Sequence, residues 1–304
     1  VSRNFVPRPL AVGTADGGEE ARPQTPRQGE TSLPFYSIAN KEIREHIFRI
    51  FFFYILNSPC FPVCYRKTEC VTMQEDIIKP VIGNHLEECN DFPVLAKECR
   101  EEDDIIAYRH LSGICLQEED LSRISFEHVI FENCRMIHSS FSGGNFTDTV
   151  FRSCELSNCD FSSSCFCRTE IQAVKGIGAN FNEARLFHVK IADSNFSYAN
   201  FNEVKADHFT ALQSDFSEVF LTACRLKNTS VHEVRFDKAN FYRTSLKGID
   251  LTTCRISGII TSLEAGELKG AVVNMFQAVE LAKRFGVIVG NYFRFKRPAE
   301  RICS

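Results

Sequence analysis

Two five-residue units show the pattern that decides the fold: Ala179-Asn180-Phe181-Asn182-Glu183 and Ala199-Asn200-Phe201-Asn202-Glu203. The central residue of the unit recurs at every fifth position from Leu111 to Ile256, without a change of register. Phe, Leu, Ile, Met or Val occupies 27 of these 30 positions, and the exceptions are Gly176, Ala206 and Ala211. A period of five matches neither an α-helix nor a β-strand, so the pattern indicates a tandem-repeat architecture.

A small residue usually lies two positions before the large one, as Ala179 lies before Phe181 and Cys159 before Phe161. This arrangement resembles the pentapeptide-repeat family. The resemblance implies an all-β solenoid, a right-handed quadrilateral β-helix with one unit on each side and four units in each coil. In such a coil the large and the small residue both point inward and fill a narrow square interior. The other three residues of each unit face water.

The number of five-residue units predicts the length of the rod. Thirty units at four per coil make 7.5 coils, and a strand spacing of about 4.8 Å then gives a rod of roughly 36 Å. Residues 20 positions apart lie one above the other. Phe141, Phe161 and Phe181 are therefore expected to form a single internal column.

The remaining sequence suggests four regions. Residues 1–72, rich in Pro, Gly, Arg and Glu, are expected to be a disordered or extraneous extension with a short apolar segment, and the functional protein is expected to start at or near Met73. Residues 73–110 form an N-terminal cap, with a strand over 77–82 and a helix over 91–102. Residues 111–260 form the β-helix. Residues 261–304 contain a helix over 275–285, a strand over 287–289 and a loose tail; Asn274 with Gln277 fits a capping box, and Gly286 fits a helix stop.

Two places in the repeat depart from the pattern. Gly176 replaces a large inward residue, which predicts a local bulge or a small void. Ala206 and Ala211 flank Phe209, which occupies a position that is normally small. We expect volume to be exchanged between these inward positions, because a core tolerates such swaps when its total volume is kept.

The 14 cysteines do not indicate a disulfide framework. Five of them, Cys134, Cys154, Cys159, Cys224 and Cys254, fall at the small inward position, where Cys packs as a compact apolar residue. We therefore expect reduced thiols in a cytoplasmic protein, although Cys134 and Cys154 should stack closely enough to leave a disulfide open. The spacing of Cys60, Cys64 and Cys70 does not match a zinc site. The apolar run 47–56 is too short to span a bilayer.

Charge is distributed unevenly over the four predicted sides, although the chain as a whole carries only −4. Two sides are net acidic by three, one is net basic by three and one is neutral. The candidate acidic partner-binding residues are Asp160, Glu183, Glu203, Glu170, Asp193 and Glu233. On the basic side His128, His188 and His208 share one outward position. They could hold a metal or respond to pH, but the interpretation we favour is that they are solvated surface residues.

The C-terminal stretch 277–289 adds a narrower resemblance, to the Qnr-like quinolone-resistance subgroup. That subgroup implies a DNA mimic that occupies the DNA-binding groove of type II topoisomerase (DNA gyrase) and protects the enzyme from quinolones. It also implies a homodimer through the C-terminal helix, with Phe276, Val279, Leu281 and Phe285 as contacts. Replacing Phe276 or Phe285 by Asp is expected to destabilise the end coil, because burying an unpaired charge is costly.

The same residues also fit a second class of function, a repeat scaffold that binds an unrelated protein partner. DNA mimicry requires a dense acidic surface, since duplex DNA carries one charge per about 1.7 Å of axis, and the predicted rod is only weakly acidic. The sequence contains no catalytic constellation and no Gly-rich phosphate loop. We expect no enzymatic activity, no cofactor, no metal, no direct nucleic-acid binding and no membrane association.

Overall fold

The computed structural model describes residues 77–290, apart from residues 84, 90 and 103. All of them belong to the second of two compact units of the chain, Tyr65–Ser304. The expectations for residues 1–72, for a start near Met73 and for the tail beyond residue 290 lie outside the described residues.

The described chain is a β-helix of parallel strands with two helices. Strands lie at β1 Glu87–Glu88, β2 Ile105–Ala107, β3 Arg109–Ser112, β4 Cys115–Gln117, β5 Ser125–Glu127, β6 Ile130–Glu132, β7 Arg135–Ile137, β8 Asn145–Arg152, β9 Cys165–Gln172, β10 Arg185–Ala192, β11 Lys205–Leu212 and β12 Arg225–His232. Helices lie at α1 Phe92–Glu102 and α2 Met275–Arg284, with a 3-10 turn at Gly266–Leu268. The main sheet has the order β1-β3-β6-β8-β9-β10-β11-β12.

Each coil contains 20 residues, because paired residues of neighbouring coils differ by 20 in number, as Phe146 does from Phe166. We name the four sides by their inner columns: side 1 contains residues 121, 141 and so on to 241; side 2 runs from 126 to 246, side 3 from 111 to 251 and side 4 from 116 to 256. Along side 1, bridges join residues 120, 140, 160, 180, 200, 220, 240 and 260. These seven steps agree with the predicted length of the rod.

The inner columns confirm the predicted square tube. Phe141, Phe161 and Phe181 are fully or almost fully buried. Their rings stack at 5.0 Å between successive centroids, and Phe201 continues the stack at 4.6 Å. The small inward residues Ala179, Ala184 and Ala199 have no exposed surface. Large and small side chains together therefore fill the interior, as the sequence indicates.

A left-handed backbone conformation turns almost every corner of the tube. The residue two positions after each large inward residue has a positive φ from Tyr108 to Gly258, with Thr253 as the one exception in this stretch. Apart from Thr253, none of these positions carries a β-branched residue, for which this conformation is strained. The lack of β-branched residues at these positions is a second signal in the sequence, separate from the five-residue pattern of large residues, and it marks the corners.

At the two places where the repeat departs from its pattern, the structure differs from the prediction. At Gly176 the prediction of a bulge or void is wrong: the ladder keeps its register, and the Phe196 ring lies where a side chain would be, 2.4 Å from an ideal Cβ. Near Ala206 and Ala211 the exchange of volume is incomplete. Phe209 is only partly buried, and a cavity of about 40 Å³ lined by these three residues remains.

Both ends of the repeat differ from the expected boundaries. The first coil begins earlier, because Ile106 is buried and β2 pairs with β5 with the 20-residue offset. After Ile260 the offset increases by two, so that Asp250 pairs with Val272. The two additional residues of this last coil lie near the buried Glu267. The Glu267 carboxylate accepts hydrogen bonds from the Arg243 N–H at 2.9 Å and from Ser262.

The predicted helices of the two caps are present, but the predicted strands are not. Helix α2 begins at the expected capping box, in which the Asn274 and Gln277 side chains bond to each other's backbone N–H groups. Residues 287–289 form no strand. Residues 77–82 also form no strand, and they lie along the corner between sides 2 and 3. In both places, the backbone has no strand beside it among the described residues with which it could form a regular ladder of hydrogen bonds.

Candidate interaction surface

The outer surface of the rod is built from side chains that repeat at each coil. Opposite charges meet in adjacent coils, as in Arg135–Glu155 at 3.3 Å and Lys175–Glu155 at 2.8 Å on side 4. Arg152–Glu132 on side 3 is a further pair at 3.2 Å. Neighbouring residues of an exposed column lie one strand spacing apart. Each column is therefore equivalent to a cross-strand ladder, in which side chains of opposite charge stabilise each other.

The six predicted acidic residues do not form one surface. Asp160 lies on side 1, and Glu183 and Glu203 are exposed at the corner where side 1 ends. Glu170 lies on side 3, and Asp193 and Glu233 are exposed at the corner between sides 3 and 4. Since sides 1 and 3 are opposite sides of the coil, a single partner surface cannot lie flat against both groups.

An open groove of about 660 Å³ follows the corner between sides 3 and 4. Its lining residues include Asp193, Glu233, Asp215, Arg235 and Lys175. Arg235 lies 3.3 Å from Asp215, and Lys175 is paired with Glu155. The groove is therefore polar and shallow. Within the described part of the chain, no group of three or more His, Cys, Asp or Glu side chains is arranged to hold a metal ion.

The three histidines share a column, as predicted, but they do not form one cluster. His188 and His208 stack at 4.5 Å, whereas His128 stacks on Tyr108 at 4.6 Å. Asp148 and Arg168 occupy the two intervening coils of the same corner. The segment 77–83 lies along this corner, so the histidine column is partly covered by the chain itself.

Asp148 anchors that segment, which the sequence did not reveal. Asp148 is 2% exposed and accepts the Val81 N–H at 2.9 Å and the Arg168 Nε–H at 2.7 Å. The His128 ring nitrogen lies 2.6 Å from the Val81 carbonyl oxygen. Burial alone would raise the pKa of Asp148, but the bonds from Arg168 and Val81 outweigh burial and lower it.

Side 2 breaks the rule of alternating charge. Arg185, Lys205 and Arg225 are neighbours in one column. Lys227 and Lys247 lie one coil apart in a second column, and the two-residue offset places Lys269 one coil further on. All six side chains are exposed, and none of them forms an ion pair with another described residue. We call these six residues the basic patch.

The predicted dimer residues lie on different parts of α2. Phe276 is 80% exposed, whereas Leu281 packs against the core of the rod. Val279 and Phe285 are half-buried. The Gln277 side chain donates to the Leu251 and Cys254 carbonyl oxygens at 2.7 Å, so α2 closes the last coil. The expected destabilisation on replacing Phe276 by Asp does not fit this geometry, because Phe276 points to solvent.

The described cysteines are free, in agreement with the predicted reduced thiols. Cys134, Cys154, Cys159, Cys224 and Cys254 are all buried at inward positions. Burial raises the pKa of the Cys159 thiol to about 12 and that of Cys224 to about 11. At Cys159 and Cys224 the thiol therefore packs as an apolar group, since its reactive thiolate form is disfavoured.

Comparison with known proteins supports the assignment of the repeat. The protein-family model described as "Pentapeptide repeats" matches eight copies of the repeat, in residues 130–168 and 221–258. The intervening coils continue the same register and the same inner columns. The chain contains pentapeptide repeats. No helix in the described part of the chain is both long and apolar enough to cross a membrane.

Solved structures of several proteins are similar to the chain at low identity. A trypsin-treated variant of QnrB1, a plasmid-mediated fluoroquinolone resistance protein, is 21% identical over 60% of this chain and 90% of its own, with a TM-score of 0.39. HetL, involved in heterocyst differentiation regulation in the cyanobacterium Nostoc, is 17% identical over 61% and 97%, with a TM-score of 0.37. Similarity of this size transfers no function to the chain. No curated protein matches it in sequence.

Proposed function

We propose that this pentapeptide-repeat protein is a non-enzymatic scaffold that binds a protein partner along the outside of its rod. The observation that supports this proposal is the filled interior. Stacked rings and small side chains occupy the tube, and the open space of about 660 Å³ on its outside is a shallow groove. A protein partner needs only the exposed sides, whereas a small substrate needs a concave site with convergent polar groups.

Type II topoisomerase, DNA gyrase, is the specific candidate partner, with the chain acting as a DNA mimic that protects the enzyme from quinolones. The resemblance of residues 277–289 to the Qnr-like subgroup supports it. Glu183 and Glu203 also support it, because they add negative charge to side 1 at the same corner of successive coils. The weak net charge of −4 limits the mimicry to one side of the rod. This function places the protein in the cytoplasm.

Two experiments test these statements separately. The full chain is immobilised and used to capture partners from its source cell; recovery of the same protein by wild type, and its loss in a folded surface variant, supports the scaffold. The full chain is also titrated into gyrase supercoiling reactions that contain a quinolone. Restored supercoiling supports the topoisomerase assignment, and its weakening by Glu183→Gln with Glu203→Gln assigns it to side 1. Unchanged quinolone inhibition at excess of the chain would overturn the assignment and leave the scaffold proposal standing.

The alternative partner is an unrelated protein. The exposed apolar residues on side 1, Phe220, Tyr242 and Ile260, favour it, because they have no counterpart in the backbone of DNA. Aromatic residues are enriched in protein interfaces. A captured protein other than a topoisomerase, together with unchanged quinolone inhibition, would identify this alternative.

A further inference from the structure

The basic patch is unusual because it sets like charges side by side. Arg185, Lys205 and Arg225 lie in adjacent coils, as do Lys227 and Lys247. Like charges directly opposite each other in a sheet are unfavourable. On side 4 the same spacing alternates in sign in Arg135, Glu155 and Lys175. Arg235 and Arg255 are also adjacent there, but both of them pair with Asp237. Stability of the rod therefore does not explain the basic patch.

The acids near the basic patch form no ion pair with its six residues among the described residues. Asp207 is one coil from Lys227, but its carboxylate lies 2.9 Å from the Asn228 amide nitrogen and 3.0 Å from the His208 ring nitrogen. Glu183 and Glu203 precede Arg185 and Lys205 by two residues, at the corner with side 1. The end of the patch, from Arg225 to Lys269, therefore carries the least compensated charge.

An exposed apolar patch adjoins this end. Phe220 and Ile260 are 47% and 48% exposed in one column of side 1, separated by Asn240. Tyr242 is 40% exposed, and the Arg243 guanidinium lies 5.2 Å from its ring centroid. Arg243 occupies the corner that joins sides 1 and 2. Apolar groups and cations therefore meet along one edge of the rod.

We propose that this edge is the docking surface for an acidic protein segment that carries apolar side chains. The inference rests on the proposed scaffold function and names the class of partner. The carboxylates of such a segment would face the basic patch, while its apolar side chains would contact Phe220, Tyr242 and Ile260. Tyr and Arg are the residues that most often dominate protein interfaces.

A nucleic acid fits the same edge less well. Glu183, Glu203 and Asp207 lie among or beside the cations and would repel a continuous phosphate backbone. The apolar column of side 1 offers spaced hydrophobic contacts, and the chain as a whole is acidic at −4. These features favour a partner with intermittent negative charge, which is a property of polypeptides.

The test measures fluorescence anisotropy of a labelled peptide that alternates Glu and Leu, with the full chain. A Glu–Ser peptide, a Lys–Leu peptide and an oligothymidylate of equal length are the comparison probes. The patch variant combines Arg225→Gln, Lys227→Gln and Lys247→Gln. The matched control combines Arg135→Gln, Lys175→Gln and Arg255→Gln, which removes the same charge from side 4. An apolar variant combines Phe220→Ser with Tyr242→Ser.

We expect the Glu–Leu peptide to bind best, with affinity that falls as salt is raised. The patch variant should weaken binding about tenfold or more and flatten the salt dependence. The apolar variant should weaken binding with the salt dependence unchanged, and the side 4 control should bind like wild type. Thermal unfolding should show the patch variant to be at least as stable as wild type, because like-charge neighbours are removed.

Several results would overturn the proposal. These are equal loss in the side 4 control, tighter binding of oligothymidylate than of peptide, destabilisation of the patch variant, or a change of its oligomeric state, which would assign the patch to contact between copies. Capture of the cellular partner by the patch variant as by wild type would also reject the patch. That last result would leave the scaffold function intact, so the two failures are distinguishable.

Discussion

Single residues at the corners of the coil determine how easily the chain can turn. The αL conformation is accessible to glycine without strain, whereas an L-residue in it approaches its own carbonyl oxygen. Ala173 is exposed at such a corner, with φ of 54°. We expect Ala173→Gly to raise the free energy of unfolding by about 0.5–1 kcal/mol. Chemical denaturation measures the change.

The control for that substitution is Ala107→Gly in β2, where the backbone is extended and φ is not positive. Glycine there should lower stability by about 0.5–1 kcal/mol, because it adds only freedom to the unfolded chain. Equal effects of the two substitutions would show that corner strain does not contribute to stability.

Asp148 is the residue on which the packing of segment 77–83 depends most directly. Asp148→Asn should lower the free energy of unfolding at neutral pH by about 1–3 kcal/mol, since it leaves Arg168 without its partner. Because the folded pKa of Asp148 is lowered, the stability it contributes is present above the ordinary carboxyl pKa and is lost as the pH falls through the folded value.

Urea unfolding across a range of pH checks this prediction. The difference between wild type and Asp148→Asn should shrink in acid, when the wild-type carboxyl is itself protonated. Asp160→Asn is the control, because Asn already occupies the same column at Asn180 and Asn200. A difference that stays constant into acid would mean that shape, and not charge, explains the effect of Asp148.

Among the elements of the fold, strand β11 borders a cavity in the core. It carries both Ala206 and Ala211, and the cavity beside them has a volume of about 40 Å³. Ala211→Val should fill this space, because Ile191 and Val231 occupy the same column on either side. Cavity energetics of about 24 cal/mol per Å³ predict a gain of about 1 kcal/mol in stability.

Thermal or denaturant unfolding of Ala211→Val measures that gain. The matched control is Ala179→Val, at a small inward position that is fully buried and does not line the cavity. Overpacking there should destabilise by about 1–3 kcal/mol. A loss of stability in both variants would indicate that Phe209 already occupies the space in solution.

For the molecule as a whole, the open question is whether two rods join end to end through α2. Phe276 is 80% exposed, Met275 72% and Ile288 95%, which leaves apolar surface at the end of the rod. We expect a homodimer through this surface. Phe276→Asp should convert it to a folded monomer with little change in unfolding temperature, because the replaced side chain faces solvent.

Light scattering coupled to size exclusion gives the mass of each form. Leu281→Asp is the comparison, since Leu281 packs on the core and a charge there should destabilise the last coil. A wild-type monomer, or a Phe276→Asp chain that keeps the wild-type mass, would show that α2 closes only its own rod.

The sequence alone was sufficient for the coil and its closing helix. A strict period of five requires large and small side chains at fixed positions inside the tube, and the Asn274–Gln277 pair acts within one helical turn. These features are either local in the sequence or recur at a constant interval, so the structure of one unit predicts the structure of the next. The uneven charge of side 2 was also visible, although its two columns of like charge were not separated.

Only the tertiary structure decided where the chain makes contacts that the repeat does not specify. Segment 77–83 lies on the rod because Val81 meets Asp148, 67 residues away, and Ile78 meets His188, 110 residues away. Phe196 fills the space that Gly176 leaves open, and the ladder shifts by two residues after Ile260. Each depends on which side chains become neighbours after the coils have stacked, and no periodicity in the sequence encodes that.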